Sequence, residues 1–386
     1  MSSDEWKSVR LGDLVSINST SISTSYQYDV IEYIDTSSVT RNEFLPPQTM
    51  NLSDAPSRAR RIVNHGDTIL STVRPIQRHF GFIRNPKPNT VVSTGFAVLT
   101  PKSINAEFLY YYLSQEPITN YLNSIAETST TTFPAFRPEI LSELEIEIPK
   151  DQATQSRIAG IFSTLDDKIE LNRQTNATLE AIAQAIFKEW FVDFNYPGAT
   201  GELVESELGP IPKGWRLSSL TSELNIVYGR NLPTTKLTAE GFPVFGGNGL
   251  LGFYKDYLYD EPQIIVSCRG AASGKVNQSL PKSFVTNNSL VFEIPKTSTI
   301  TFPYLKFFCL NMDFRSFVSG SAQPQLTIDS LHQAKLLVPD SISVTRFSQV
   351  VSTIEIIRME NDTQSNHLAT IRDELLPKLM NGDIKL

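Results

Sequence analysis

Apolar residues recur at alternating spacings of four and three between positions 158 and 190: Ile158, Phe162, Leu165, Ile169, Leu179, Ala183, Ile186 and Trp190, with Asn172 and Asn176 in mid-series. This is the a/d seam of a long helix, sustained for more than four heptads and polar at its centre. The series returns 189 residues later as Phe347, Val351, Ile354, Leu368, Leu375 and Leu379, interrupted by Arg358, Asn361, Ser365 and Arg372. A helix of about 36 residues is about 54 Å long at 1.5 Å per residue. Neither helix can hide its seam in a domain of ordinary size, so the two are expected to pack on each other. Both follow equivalent segments, which predicts an antiparallel pair with a pseudo-twofold axis. Asn172 and Asn361 then read as buried polar residues that fix the register of the helices.

The stretches before each helix match as well. Short apolar runs lie between turn signals: VIEYI (30–34), DTILSTV (67–73), FGFI (80–83) and GFAVL (95–99) in the first half. IIVSC (264–268) and SLVFEI (289–294) echo them in the second. These predict strands of a mixed or antiparallel sheet. Residues 105–122 have a helical period broken at Pro117, echoed by FPYLKFFCLNMDFRSF (302–317), and each half closes on a short strand ending in proline. The fold class expected is α+β, with two similar mixed α/β domains and two long antiparallel coiled-coil helices. The boundaries read as a first domain over 1–150, a helix over 151–194, a linker and second domain over 195–340, and a helix over 341–386. A repeat of this length is too long for a solenoid unit and implies two copies of one module.

Composition narrows the chemistry. The chain has 386 residues and two cysteines, Cys268 and Cys309, neither in a metal-binding spacing. No apolar leader opens it and no run is long enough to span a bilayer, so a cytoplasmic location and no membrane partner are expected. The formal net charge is −7, but the charge is unevenly spread. Arg58, Arg60, Arg61, Arg74, Arg78, Arg84, Lys87 and Lys102 face only Asp67 between positions 58 and 102, a local +7. In the second half, Arg269, Lys275 and Lys282 stand in an acid-free stretch over 262–288.

Arginine suits phosphates and guanine edges. Arg58, Arg60, Arg61, Arg74, Arg78 and Arg84 are therefore candidate DNA-binding residues of the first half; a solvated basic face is the alternative. Arg230, Asn248, Arg269 and Lys275 are the candidates of the second. Asn248 lies in FGGNGLLGF (245–253), a formal match to a dinucleotide fingerprint. That motif needs a helix after it, and the aromatic segment that follows favours a glycine-rich loop between strands. No catalytic constellation, ATP-binding loop, amino-methyltransfer motif or metal set is evident. The outer helix faces, Phe187 and Phe191 included, are expected to await partner subunits.

Taken with APSRARRIVNHGDTILSTVRP (55–75), VVSTGFAVL (91–99), LDDKIELNRQTNATLEAIAQAIFKEWFVDF (165–194), PVFGGNGLLGFY (243–254) and SGSAQPQLTIDSL (319–331), the whole chain resembles the specificity subunits of type I restriction–modification systems. The resemblance implies a non-catalytic scaffold. Two target-recognition domains would each read half of a split double-stranded DNA target, and the helices would set the spacer. It also implies two methyltransferase subunits as partners, and restriction subunits through them, with S-adenosylmethionine, ATP and Mg²⁺ on those partners and no cofactor in this chain. One departure stands out: the second domain has GSAQPQ (320–325) where the first has ETSTTTFP (127–134), so those loops should meet DNA differently. The rival readings are a coiled-coil adaptor that reads no bases and a free-standing DNA-modifying enzyme.

Overall fold

Two helices of 40 residues each, Gln152–Phe191 and Ser341–Met380, carry the apolar seams in the computed structural model, which describes residues 5–128, 134–320 and 323–384. They begin in the same way. The Asp151 carboxylate accepts from the backbone N–H of Ala153 and Thr154 at 3.1 and 2.9 Å. Asp340 accepts from Ile342 and Ser343 at 3.0 and 2.9 Å. Each aspartate satisfies donors that the first turn leaves unpaired.

The chain divides into two units, one of residues 1–172 with 363–386 and the other of residues 173–362. Each unit therefore holds one domain and a stretch of both long helices. In the first unit the strand Trp6–Arg10 lies antiparallel to Glu145–Pro149, so the domain's two ends are zipped together. Between them are two four-stranded sheets. One runs Val15–Ile17, Phe96–Pro101, Thr68–Ser71, Phe80–Phe82, all antiparallel. The other runs Gln48–Asn51, Val30–Ile34, Thr90–Ser93, Ala59–Ile62, with its middle pair parallel. The tyrosine-rich segment forms two helices, Ala106–Leu113 and Glu116–Glu127, with Pro117 in the first turn of the second. Proline is tolerated there because that N–H has no partner within the helix. Phe108, Leu109, Ile146 and Ile148 pack on Ile158 and Phe162 of one long helix and Leu379 and Met380 of the other.

The second unit repeats this order. Arg216–Ser219 pairs antiparallel with Lys335–Val338. One sheet runs Asn225–Tyr228, Ser289–Glu293, Ile264–Ser267, Val276–Gln278, and the other Gly249–Tyr254, Phe242–Gly246, Phe284–Val285 with a parallel last pair. Here the helix Phe302–Asn311 is followed by a single 3-10 turn, Phe314–Phe317. The edge strand Ala59–Ile62 of the first unit shrinks to one bridge in the second, Tyr259 with Ser283.

Within each unit the long helices run antiparallel. In the first, Asp166 pairs with Arg372, and Asn172, 2% exposed, donates to Gln364 Oε1 at 3.0 Å and Ser365 Oγ at 3.2 Å. In the second, Asn361 donates to Asn176 Oδ1 at 2.8 Å, and Asn176 to Asp362 Oδ1 at 2.8 Å. One expectation fails. Phe187 and Phe191 are not open to partners: they are 3% and 4% exposed, inside the second unit's core. The Phe191 ring lies 4.8 Å from Tyr304, 5.1 Å from Phe347 and 5.7 Å from Trp215. The domain itself covers that face of the helix.

Candidate nucleic-acid interface

The acid-poor stretch of the first domain does not present all its cations alike. Arg58 is held by Asp35, Arg78 by Glu116 at 3.4 Å, and Arg84 by Glu107 at 3.0 Å and by Asp167 of the first long helix. Arg84 spends its charge on protein carboxylates and ties the domain to the helix. Arg60 is exposed, its Nε donating to the Ser57 carbonyl at 3.2 Å. Arg61 is half-buried, and its Nε has no hydrogen-bond partner. Burial holds the Arg61 guanidinium below its ordinary pKa, against the pull of Glu139. Among the described residues no ion pair engages Arg60 or Arg61. Both sit on the edge strand Ala59–Ile62.

Arg74 and Arg78 sit on the turn after Thr68–Ser71, both in the left-handed region, with φ of +48° and +56°. The equivalent turn of the second domain follows Ile264–Ser267, and glycine takes both places: Gly270 at φ +73° and Gly274 at φ +87°. The equivalence is anchored by backbone bonds. Arg74 N–H donates to the Pro134 carbonyl at 2.8 Å, and Gly270 N–H to the Pro324 carbonyl at 2.9 Å. Those prolines belong to the loops in which the two domains differ. Residues 129–133 and 321–322 of those loops lie outside the described residues. A left-handed conformation costs a non-glycine residue about 1–2 kcal/mol. Such residues persist where the surroundings over-determine them, and they gather at functional sites.

In the second domain the glycine-rich segment is a hairpin. Gly247 and Asn248 form the two-residue turn between Phe242–Gly246 and Gly249–Tyr254, and a strand follows rather than a helix. The turn is pressed onto the neighbouring sheet. Ser267 Oγ and Asn277 Nδ2 both donate to the Gly247 carbonyl, and Lys275 Nζ reaches the Asn248 carbonyl at 3.5 Å. A Cβ on Gly247 would lie 2.8 Å from Ser267 Oγ, which is why glycine stands there. Arg230 is exposed near the turn end of this hairpin, its N–H bonded to the Val285 carbonyl while the Thr286 N–H bonds the Phe245 carbonyl. Arg269 and Lys275 flank the turn of Gly270–Ala272. The structure thus brings Asn248, Lys275, Arg230 and Arg269 into one loop cluster. In the first domain Arg60 and Arg61 lie on the edge strand, and Arg74 and Arg78 on the turn after Thr68–Ser71. The left-handed arginines carry no sequence signal beyond the Pro75 that follows Arg74.

Replacing Arg74 or Arg78 by glycine, as in the second domain, separates fold from binding. Each change is expected to leave thermal stability unchanged or raised, by up to about 1 kcal/mol. Duplex affinity should fall, with the salt slope reduced by about one per lost phosphate contact. A salt titration of binding reads this, and unchanged affinity in both variants would place the interface elsewhere.

The family model described as type I restriction modification DNA specificity domain matches residues 3–181 and 212–363. The HindI specificity subunit of Haemophilus influenzae, a type I restriction enzyme subunit, is 28% identical over 98% of this chain and 100% of its own. The MjaIX specificity subunit of Methanocaldococcus jannaschii is 28% identical over 84% of this chain and 79% of its own. The solved type I restriction–modification S subunit from M. genitalium shares the fold, with a TM-score of 0.57 at 17% identity over 98% of this chain and 97% of that one.

Proposed function

The chain belongs to the DNA specificity family of type I restriction–modification systems, and from that premise we propose that it is the non-catalytic, DNA-reading subunit of such a system. Each unit reads one half of a bipartite double-stranded target. The observation that carries this reading is the duplicated sheet order, in which the same turn bears exposed cations in both units: Arg74 in one, Arg269 and Lys275 in the other. Cations there neutralise phosphates, while Asn248 on its hairpin turn and Arg60 and Arg61 on their edge strand are the groups offered to base edges.

Two methyltransferase subunits dock on the long helices, and restriction subunits join through them. Leu171, Ile182, Ile356, Met359 and Ile371 remain exposed on those helices and suit such partners. S-adenosylmethionine, ATP and Mg²⁺ belong to the partners. No helix among the described residues is long and apolar enough to cross a membrane, and the complex works on DNA in the cytoplasm.

The test is selection from random duplexes by the chain co-purified with its methyltransferase subunits. Two fixed blocks of bases separated by an unspecified spacer are the expected result. A single continuous site, or none, overturns the reading. The chain alone, supplied with S-adenosylmethionine, ATP and Mg²⁺, should transfer no methyl group.

A further inference from the structure

Asp166 on the first long helix and Glu355 on the second stand at equivalent places, each fourteen residues after its helix's first residue. Each also lies where its unit's domain leans on the helices. Asp166 accepts from the Tyr111 hydroxyl at 2.8 Å and pairs with Arg372 at 2.7 Å. Glu355 accepts from Lys306 Nζ at 2.8 Å and pairs with Arg358 at 3.0 Å. The two donors come from equivalent helices, Ala106–Leu113 and Phe302–Asn311. Each of these starts behind a side-chain cap, Asn105 or Thr301, that accepts from the backbone N–H three residues on. Counted from those caps, Lys306 matches Tyr110 and Phe307 matches Tyr111. Neighbouring positions of the domain helix thus deliver the donor, while the acceptor's place on the long helix is common.

These are not surface pairs of negligible worth. Tyr111 is 2% exposed and the Lys306 side chain 11%. Burial, and then the adjacent Asp166 carboxylate, drive the Tyr111 hydroxyl far above its ordinary pKa, so it stays a donor. A buried donor that loses its acceptor is left unpaired at high cost.

We propose that Asp166 and Glu355 are positioning residues, a common socket on each long helix that locks the recognition domain of its unit and accepts whichever donor the domain supplies. The lock itself stands on geometry; its effect on target reading rests on the function proposed above. A domain held by its socket keeps its loops in register with the helices. A domain offering a donor at neither of the two positions reads its half-site poorly.

The test uses the full chain with its methyltransferase subunits. Lys306→Met keeps the side chain's length and removes the donor. Discrimination against mismatches in the second half-site should fall about tenfold, with the first half-site unchanged. The unfolding temperature should drop by about 2–4 °C. Adding Phe307→Tyr presents a hydroxyl as Tyr111 does, and should restore both readouts. The same Phe307→Tyr in a Glu355→Leu background, where no acceptor remains, should restore neither. Tyr111→Phe should produce the mirror loss, confined to the first half-site. Equal losses at both half-sites, or no recovery with Phe307→Tyr, would overturn the socket. The unfolding readout needs no DNA, so it still tests the lock if the wild-type chain proves to lack bipartite specificity.

Discussion

Replacing residues 205–340 with the matching segment of another family member should change one half of the DNA target entirely and leave the other half intact. The structure supplies the reason and the cut points. Arg216–Ser219 and Lys335–Val338 pair with each other, so both must come from one parent, and the stated limits enclose both. Asn248, Lys275, Arg230 and Arg269 all lie inside the segment, and every candidate contact of the first domain lies outside it. Each altered base contact is worth about 1–3 kcal/mol, so a few together exchange one half-site for another. The graft must also bring a helix that suits Phe187, Phe191 and Phe347, together with a donor for Glu355. Sequencing methylated sites in cells that express the chimera gives the answer. Changes in both halves, or in neither, would sink the two-reader arrangement.

Phe191→Ala should destabilise the second unit by about 3–5 kcal/mol, the usual loss when a phenylalanine is cut from a packed core. Its ring is ringed by Tyr304, Phe347 and Trp215 at 4.8–5.7 Å, a contact set too tight to collapse without a cavity. For a unit of this size the unfolding temperature should fall by about 10 °C. Phe187→Ala should do much the same, since that ring touches Tyr304 and Phe347 at 5.7 and 5.8 Å. Thermal unfolding of the chain alone is the measurement. Full stability combined with failed assembly would put both rings on a partner-facing surface instead.

The long helices were legible because a 3.5-residue period sustained for more than four heptads, from Ile158 to Trp190, has few alternative readings. So were the core strands, whose short apolar runs lie between turn signals. The hairpin at Gly247 and Asn248 was legible from the aromatic strand-like segment after it. Other features were hidden because sequence separation says little about what faces what. Periodicity showed Phe187 and Phe191 as apolar but not that Tyr304 and Trp215 cover them. The local sum of +7 counted cations and missed the facing acids Asp35, Glu116, Glu107 and Asp167, most of them remote in sequence. The left-handed backbone at Arg74 and Arg78 is fixed by the turn around Pro75, and no residue type announced it. The Asp166 and Glu355 sockets were invisible for the same reason: their donors differ and sit one position apart.

The zipped ends of each domain bear on how such a protein can diverge. The offset between matching elements is 189 at the long helices Gln152–Phe191 and Ser341–Met380, 196 at Thr68–Ser71 and Ile264–Ser267, and 212 at Val30–Ile34 and Phe242–Gly246. Length has therefore been gained or lost inside the domains, between strands, while the helices kept their phase. Loop closure grows only logarithmically with length, so added residues in a loop cost little. Because the first and last strands of a domain are hydrogen-bonded to each other, the chain enters and leaves at one fixed gap whatever lies between. That clasp insulates the helices from mutational drift in the loops. Selection can lengthen, shorten or recombine the reading surface without renegotiating the scaffold, and a lineage built this way can acquire new targets faster than it can lose its architecture.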